Sequence, residues 1–373
     1  MVSIAVIGLR GMSDVVGGIE THCRNLYPSL ASKRPDWSIR VYERSGYHQR
    51  YLGYPQNLSV KSLWAPRMKA AEAFIHTLFA LLHASWTLRP NVVHIHSIGP
   101  GIWTPLARLL GSKVVVTIHA RDYDRPKWGW IIASCLRIGE YLSCCFAHRV
   151  VCVSQASFDD ITARYPKFSD RIYTIIHGLE AQPFLHDGDR EAILAELGVE
   201  PGRYILAVGR IDKTKRFQDL VDAHRKLGRD SLPLVIVGNM VGDSAATSGI
   251  RGLQQDGVVL AGARYGQALG HLYRNAALFM HPSQMEGFAL VVLEALSAGV
   301  PMALSDLPQH REFGLPDHCY FPVGDVAEIA RIMAQPNFEE FRPHLDEAWL
   351  SRFNLGGMID NYEALFEELD ATA

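Results

Sequence analysis

The residues with the clearest chemical potential are two glutamates, Glu286 and Glu294, in the stretch HPSQMEGFALVVLEALSAGVP. Its polar turn and following apolar run predict a helix over residues 288–298. Such a helix would place Glu286 at its start and Glu294 about two turns inside it. The first turn of a helix has unpaired N–H groups and a positive dipole end, which attract a phosphate. By spacing alone, the pair fits two ordinary glutamates of a capped helix, one exposed at its start and one in its middle, as well as it fits a binding site.

Two cationic residues, Arg210 and Lys215, are predicted to lie at the same edge of a β-sheet as Glu286. Arg210 and Lys215 lie in GRIDKTK, which begins at Gly209 directly after the apolar run YILAV. Fixed cations beside the start of a helix can neutralise a diphosphate and the charge that develops as it leaves. Taken alone, Arg210 and Lys215 each fit an ordinary surface charge. Their combination with Glu286 at one sheet edge favours a diphosphate site.

A third group of candidates lies in the first half of the chain. His119 directly follows the predicted strand at 113–118, at the end where ligand-facing residues of an open sheet project. The charged loop after it is either solvated or lines a cleft, and it contains Asp122, Tyr123, Arg125 and Lys127.

The glycine-rich turn before residue 19 contains Gly17 and Gly18. Paired glycines before a helix let backbone N–H groups approach an anion closely. The turn is not GxGxxG, so a dinucleotide fingerprint fits poorly, and an ordinary flexible turn is the alternative.

The elements that must position these residues alternate between strands and helices. Short β-branched runs predict strands near 3–8, 38–42, 92–96, 113–118, 149–153 and 172–176. The same rhythm restarts after a predicted linker at 177–183, with strands near 204–208, 234–237, 257–260, 278–281 and 301–304. Each half is thus predicted to be an α/β domain with a doubly wound, Rossmann-like parallel sheet. We expect domains at 1–180 and 181–354, and an amphipathic helix at 355–373 that crosses back to the first domain.

Composition narrows the function classes. A chain of 373 residues favours two domains. The six cysteines form no CxxC pair, and no histidine lies at metal-ligand spacing, so free thiols in a reducing compartment are expected. The N-terminal MVSIAVIGL reads as a first strand, without the basic region of a signal peptide. No apolar run is long enough for a transmembrane helix, and we expect a cytoplasmic protein.

Charge is unevenly divided between the halves. Residues 1–180 carry 21 Lys and Arg against 12 Asp and Glu, whereas residues 181–373 carry 16 against 27. A basic first half suits an anionic partner, and without a recognisable recognition helix or basic run that partner is not nucleic acid. The segment 67–86 is either a core helix or an interfacial helix at a membrane surface.

The chain resembles the retaining glycosyltransferases of family 4, which have the GT-B fold of two Rossmann-like domains facing across a cleft. The likeness follows the family's order over almost the whole chain: GGIE, VVHIH, TIH, VCVSQ, IIHGLE, VGRIDKTK, LVIVG and the E-x7-E pattern of PSQMEGFALVVLEA. It is closest to bacterial rhamnosyltransferase-like enzymes of surface-polysaccharide assembly, where GxRGxxxxxGGxET accompanies HxxDWxRxKWG. This chain has HARDYDRPKWG at that position.

The resemblance implies a role for each candidate. Glu294 would bind the nucleotide ribose, and Glu286 the donor sugar. Arg210 and Lys215 would hold the diphosphate with the N–H groups of Phe288, Ala289 and Leu290, and His119 would contact the sugar near the reacting centre. Gly17 and Gly18 would let the N-terminal loop close on phosphate and acceptor. The candidates for the acceptor side of the cleft are Asp122, Tyr123, Arg125 and Lys127.

Family members need no bound metal or other cofactor, and we expect none here. The implied partners are a nucleotide-sugar donor and a glycan acceptor on a polyprenyl-diphosphate lipid, with peripheral contact at the inner face of the plasma membrane. The implied mechanism is front-face displacement without a protein nucleophile. This chain departs from the family at IIHGLE, where Asn-Gly-Val-Asp is usual, and at Ala289, where glycine is commoner.

Two other functions stay open from the sequence. A UDP-sugar 2-epimerase with the same fold would isomerise or hydrolyse the donor without an acceptor. A non-catalytic sugar-nucleotide-binding protein would keep the binding residues without turnover. The nucleobase and the donor sugar are not specified by these motifs.

Overall fold

The chain folds into two compact units. The computed structural model describes residues 2–12, 17–47, 53–66, 68, 71–125, 128–179, 190–228, 231–239 and 257–371. One unit comprises residues 1–178 together with 352–373, and the other comprises residues 179–351. The chain thus leaves the first unit after Gly178 and returns to it at Arg352.

The first unit is built on a seven-stranded parallel sheet of order β3-β2-β1-β4-β5-β6-β7. Its central strands are continuously buried because helices cover both faces of the sheet. The strands are β1 (Ser3–Ile7), β2 (Ser38–Arg44), β3 (Leu58–Leu63), β4 (Val92–His96), β5 (Lys113–Ile118), β6 (Arg149–Cys152) and β7 (Ile172–Thr174). Strand order reverses between β1 and β4, which is the point where open sheets bind ligands.

The second unit repeats this topology in a six-stranded parallel sheet of order β10-β9-β8-β11-β12-β13. Its strands are β8 (Ile205–Val208), β9 (Leu234–Val237), β10 (Val258–Gly262), β11 (Leu278–His281), β12 (Met302–Ser305) and β13 (Tyr320–Phe321). The reversal of order lies here between β8 and β11. The predicted doubly wound parallel sheets are therefore confirmed, one in each unit.

Helices connect the strands in both units. They are α1 (Gly18–Lys33), α2 (Ala71–Thr87), α3 (Thr104–Leu109), α4 (Trp130–Phe146), α5 (Gln155–Arg164), α6 (Arg190–Leu197), α7 (Phe217–Leu227), α8 (Gly266–Asn275), α9 (Leu290–Ser297), α10 (Pro308–Arg311), α11 (Val326–Met333), α12 (Glu347–Arg352) and α13 (Leu355–Ala371). Among the described residues, none of these helices is both long and apolar enough to cross a bilayer.

The sequence did not predict the edge strands β3 and β13. Strand β3 (LSVKSL) is half exposed and carries a lysine, and β13 consists of two residues. Such short or partly polar runs give a weak strand signal in the sequence. Whether they form strands depends on pairing with a neighbouring strand.

Two hydrophobic cores lie on the two faces of the first sheet because strand side chains alternate between faces. Ile4 and Val6 of β1 join one core, and Ala5 and Ile7 join the other. The first core also receives α13, with Met358, Tyr362, Phe366 and Leu369 buried at helical spacing. A buried side chain of this size contributes roughly 1.5–3 kcal/mol, so α13 is an integral part of the first unit.

Residues 177–179 are packed, although the sequence predicts a linker from residue 177. His177 is 3% exposed. A Cβ on Gly178 would lie 2.4 Å from the carbonyl oxygen of Asn354, so a glycine is needed where the outgoing and returning chain segments touch. The rest of the predicted linker, 180–183, lies outside the described residues.

Candidate active site

Lys215 is positioned by a short 3₁₀ turn (Lys213–Lys215) that follows β8 at the point of strand-order reversal. Asp212 caps this turn by accepting a hydrogen bond from the Thr214 N–H at 2.9 Å. Burial would raise the pKa of Asp212, but hydrogen bonding by Thr214 and the nearby charges of Arg210 and Lys215 lower it below its usual value. Asp212 is therefore an ionised anchor for the turn that carries both cations.

Glu286 lies in the loop after β11 and binds two partners through one oxygen. The Lys215 ammonium donates to Glu286 Oε1, and His281 Nε2 lies 2.7 Å from the same atom. The glutamate side chain is 8% exposed and the lysine side chain 13%. Burial raises the pKa of Glu286, but Lys215 and His281 outweigh it and hold that pKa well below the usual range. Burial also lowers the pKa of His281. The site thus contains an ionised carboxylate, one oxygen of which contacts both an ammonium group and a neutral imidazole.

Arg210 and Gly209 lie directly after β8, at the same sheet edge. The Arg210 side chain is 28% exposed, with its guanidinium 3.7 Å from the Asp212 carboxylate. Arg210, Lys215 and Glu286 therefore lie together at the carboxyl ends of β8 and β11, as the sequence predicts. This edge offers an anion two cationic side chains.

Helix α9 begins at Leu290, so the expectation of a helix from residue 288 is wrong at its start. Ala289 is the N-cap with φ −83° and ψ 82°, outside the helical range. Glu286 therefore lies in the loop, and Glu294 is just over one turn into the helix instead of two. The Leu290 N–H donates to the Phe288 carbonyl at 3.0 Å, so one of the three N–H groups expected to bind phosphate already has a partner within the turn.

Glu294 is half-buried on α9, where the hydroxyl of Tyr273 donates to Glu294 Oε2 at 3.0 Å. The same hydroxyl lies 3.2 Å from the Val291 carbonyl oxygen. Tyr273 in α8 thus fixes one carboxylate oxygen of Glu294. The sequence did not predict Tyr273 as part of the site.

In the first unit, His119 belongs to a group of buried histidines that we call the histidine cluster: His22, His94, His96, His119 and His177. His96 Nδ1 lies 3.0 Å from His119 Nε2, and His22 Nδ1 lies 2.9 Å from His177 Nδ1. Burial is the largest cause of the lowered pKa in all five, and it brings His94 and His177 to about 3. The cluster is therefore neutral at neutral pH.

The sequence predicts only His119 from this cluster. The strand VVHIH contains the signal for His94 and His96, because β4 ends beside β1 where strand order reverses. His22 and His177 come from a helix and from the end of the first unit's long segment, and only tertiary folding brings them to His119.

The two predicted glycines before α1 differ in their surroundings. A Cβ on Gly17 would lie 2.1 Å from Glu20 Oε2 and 2.5 Å from Arg10 Nη2, whereas one on Gly18 would meet nothing within 4 Å. Glu20 is 3% exposed and accepts from Arg10 Nε at 2.9 Å and Nη2 at 3.0 Å. Gly17 thus makes room for a partly buried ion pair. Residues 13–16 of the preceding loop lie outside the described part of the chain.

Two of the acceptor-side candidates, Asp122 and Tyr123, lie in a short 3₁₀ turn after β5 (Asp122–Asp124), and Arg125 directly follows this turn. Arg125 Nε donates to Asp122 Oδ1 at 2.7 Å, so these two side chains form an ion pair. Tyr123 is 8% exposed, and its hydroxyl lies in a buried group with Glu140 and Arg164. Lys127 lies outside the described residues.

In the part of the chain that the structure describes, two groups of side chains have possible ligand atoms within 4.8 Å of one another, the spacing at which a cation could be held: His22, His96 and His119; and His281, Glu286 and His310. In the first group, His96 and His119 already bond each other. In the second, Glu286 Oε1 already accepts from Lys215, which supplies the positive charge, and contacts His281. Neither group fits a resident metal well, and metal independence remains a prediction.

Comparison with known families agrees with this division into two units. The model for Glycosyltransferase Family 4 matches residues 16–182, and the model for Glycosyl transferases group 1 matches residues 189–335. The chain is a glycosyltransferase built from these two domains. The sequence-based expectation is thus confirmed at the level of the enzyme class and the fold.

Proteins with similarity over most of the chain agree with the same assignment. The uncharacterized glycosyltransferase MJ1607 of Methanocaldococcus jannaschii is 25% identical over 367 residues, which cover 91% of this chain and 90% of the relative. Among solved structures, a sucrose-phosphate synthase from Thermosynechococcus elongatus has a TM-score of 0.81 at 20% identity, with complete coverage of both chains. Anabaena Alr3699/HepE in complex with UDP-glucose has a TM-score of 0.77 at 15% identity, covering 99% and 100%. These structural similarities show the GT-B fold of the glycosyltransferase.

Proposed function

We propose that this glycosyltransferase is a metal-independent retaining enzyme that moves a sugar from a nucleotide-diphosphate donor to a glycan on a polyprenyl-diphosphate lipid. The observation that carries the proposal is the bridged group of Lys215, Glu286 and His281 with Arg210 beside it, at the strand-order reversal of the second unit. The UDP-glucose complex of Alr3699/HepE, a protein of the same fold, supports a nucleotide-sugar donor.

In this proposal the cations act on the diphosphate and the carboxylates act on hydroxyl groups. Lys215 and Arg210 hold the diphosphate and stabilise the negative charge that develops on it as the sugar leaves. Glu286 is held ionised, so it accepts hydrogen bonds from the donor sugar and is not a proton donor. Glu294, with one oxygen fixed by Tyr273, accepts from the ribose hydroxyls.

Retention follows from displacement on one face of the sugar. The bond between the anomeric carbon and the diphosphate oxygen breaks while the acceptor oxygen bonds to the same face, and the departing diphosphate takes the acceptor's proton. No covalent protein intermediate is formed. The role predicted for His119, contact with the transferred sugar, rests on the sequence resemblance.

A lipid-linked acceptor is supported by an exposed apolar face on the first unit. Helices α2 and α4 both pack against the 3₁₀ turn Pro100–Trp103, so they lie on the same face of the sheet. From residue 73 to 88 the chain has no charged residue, and Trp86 is 90% exposed. On α4, Trp130 is 79% exposed and Ile131 59%. Arg67 and Lys69, predicted to flank α2, lie outside the described residues.

We propose that this α2–α4 face lies in the interface of an anionic membrane. Aromatic side chains on the exposed side of a helix favour the headgroup region, and the excess of basic residues in the first 180 attracts anionic lipid. Partial insertion there would bring the enzyme to a polyprenyl-diphosphate acceptor at the inner leaflet.

The catalytic proposal is tested by incubating the enzyme with UDP-, dTDP- and GDP-sugars, with and without a synthetic polyprenyl-diphosphate glycan, and analysing the products by NMR. We expect acceptor-dependent transfer with the donor's anomeric configuration kept, undiminished by EDTA and lost in Glu286→Gln. Inversion or loss of activity in EDTA would contradict the mechanism. Donor isomerisation or hydrolysis without an acceptor would instead show the epimerase-like reaction. Nucleotide-sugar binding without turnover would show a non-catalytic protein.

The membrane proposal is tested by co-sedimentation with phosphatidylglycerol-containing vesicles and with pure phosphatidylcholine vesicles. We expect binding to the anionic vesicles that falls at least tenfold in Trp86→Ser/Trp130→Ser. Tyr265→Ser is the matched control, since Tyr265 is a 53% exposed aromatic residue of the second unit. Equal binding of the double variant and the wild type would refute the assignment of this face.

A further inference from the structure

A continuous series of buried hydrogen bonds joins the C-terminal helix to His119. Tyr362 Oη of α13 lies 3.1 Å from Thr117 Oγ1, which lies 2.7 Å from His94 Nε2. His94 Nδ1 is 2.8 Å from Tyr27 Oη, and Tyr27 Oη is 2.6 Å from His96 Nε2. His96 Nδ1 then lies 3.0 Å from His119 Nε2. We call this series of six side chains the Tyr362–His119 network.

Each link of the network contains a single proton, because every member is neutral. Burial lowers the pKa of His94 to about 3 and lowers the pKa of His96 and His119 well below the usual value. Burial also raises the pKa of Tyr27 and Tyr362. A neutral imidazole has one N–H and one acceptor nitrogen, so the protons of the whole network must point in one of two directions.

The buried hydroxyl of Tyr362 decides the direction. Tyr362 is 0% exposed, and Thr117 is its hydrogen-bond partner among the described residues. If Thr117 donated to Tyr362, the phenol proton would be buried without an acceptor, at a cost of about 1–3 kcal/mol. The hydroxyl of Tyr362 therefore donates to Thr117, and every later proton is fixed in turn.

Following the protons along the network gives the state of His119. Thr117 donates to His94 Nε2, and His94 Nδ1–H donates to Tyr27. The Tyr27 hydroxyl donates to His96 Nε2, and His96 Nδ1–H donates to His119 Nε2. His119 Nε2 is then the acceptor, and the proton of His119 lies on Nδ1.

We propose that Tyr27 and Tyr362 are positioning residues, which act through this network to hold His119 in the tautomer protonated at Nδ1. This inference rests on the proposed function, and it specifies what His119 offers the substrate. The ring presents a hydrogen-bond donor at Nδ1, while its lone pair at Nε2 is occupied by His96. His119 therefore donates to an oxygen of the bound sugar and does not act as the base for the acceptor hydroxyl.

The tautomers are measured directly by long-range ¹H–¹⁵N NMR on the full chain labelled with ¹⁵N-histidine, which separates protonated from unprotonated ring nitrogens. We expect His94, His96 and His119 all to carry the proton on Nδ1. Tyr27→Phe removes the hydroxyl that links His94 to His96, so His119 should become a mixture of tautomers although Tyr27 bonds only His94 and His96. Thr117→Val, which separates Tyr362 from His94, should have the same effect.

Tyr42→Phe is the matched control. Tyr42 is a fully buried tyrosine of the other core, and its hydroxyl lies 3.3 Å from His83 Nδ1, outside the network. With an active donor and acceptor pair, Tyr27→Phe should lower kcat about tenfold with KM within twofold, because the Nδ1–H donor is no longer held in place. Tyr42→Phe should leave kcat and the His119 tautomer unchanged.

The outcomes separate the network from the proposed function. A wild-type His119 protonated at Nε2 would overturn the inference, whatever the enzyme's activity. An unchanged tautomer and unchanged kcat in both Tyr27→Phe and Thr117→Val would overturn it as well. If wild-type protein transfers no sugar but has the expected tautomers, the network stands and the proposed function fails.

Discussion

The ion pair between Lys215 and Glu286 allows stability and donor binding to be separated by experiment. Both side chains are mostly buried, and Lys215→Met keeps the length of the side chain while removing its charge. The variant leaves Glu286 as a mostly buried carboxylate whose Oε1 keeps, among the described residues, the contact with neutral His281. We expect it to destabilise the second unit and to weaken nucleotide-sugar binding.

The magnitude follows from the burial of the pair. Removing one partner of a buried ion pair costs about 3–5 kcal/mol. The Glu286 side chain is 8% exposed and the Lys215 side chain 13%, so we expect a cost at the lower end of this range, about 3 kcal/mol. For a unit of this size, a loss of that size lowers the melting temperature by roughly 6–12 °C. Loss of a charge-assisted contact with the diphosphate should weaken donor binding about 10- to 150-fold.

The assay combines calorimetric unfolding with titration of the nucleotide-diphosphate sugar that stabilises the protein most. Lys213→Met is the matched control, because Lys213 is an exposed lysine of the same 3₁₀ turn and should change stability by less than about 0.5 kcal/mol. The double variant Lys215→Met/Glu286→Leu removes both charges, so it should regain stability to within about 1 kcal/mol without regaining donor affinity.

Two results would refute this reasoning. If Lys215→Met had the same melting temperature as the wild type, the ionised Glu286 would not depend on Lys215 for its stability. If the double variant regained donor affinity together with stability, the weak binding of the single variant would reflect loss of folding and not loss of a phosphate contact.

Three further predictions concern other parts of the molecule. Glu294→Gln should weaken binding of the nucleoside diphosphate about tenfold in calorimetric titration, because the remaining amide is a poorer acceptor for ribose hydroxyls; unchanged affinity would exclude this role. Gly17→Ala should lower the free energy of unfolding by about 1 kcal/mol, because the side-chain ends of the partly buried Arg10–Glu20 pair must shift to make room for the methyl group. Gly18→Ala has open space around it and should leave the free energy of unfolding unchanged or raise it by up to about 1 kcal/mol. Equal effects of the two substitutions would contradict the packing argument. Stability measured by urea unfolding should fall as the pH is lowered from 6.5 to 5. His94 and His177, whose folded-state pKa is about 3, should each contribute a slope that rises from about 0.7 to about 1.4 kcal/mol per pH unit, because the unfolded chain binds protons in this window and the folded chain does not. A flat profile would contradict the burial of these two rings in the neutral form.

Local sequence patterns predicted most of the strands and the end of the sheet at which the site lies. The runs VVHIH and KVVVTI have the continuous apolar character of buried parallel strands, and residues after such strands must lie at one edge of a sheet. Arg210, Lys215 and Glu286 therefore could be grouped from sequence. The start of α9 could not, because N-cap geometry at Ala289 depends on the loop that precedes it.

The sequence by itself determined the doubly wound architecture and the position of Arg210, Lys215 and Glu286 at one sheet edge, because strand periodicity and the position of residues after strands are local properties. Only the tertiary structure decided how these groups are paired. It shows that Glu286 contacts Lys215 and His281 through one carboxylate oxygen. It also brings Tyr362 to Thr117, 245 residues away, and gathers the histidine cluster from separate elements. No local pattern contains such contacts, because they arise from burial of α13 and β4 in a common core.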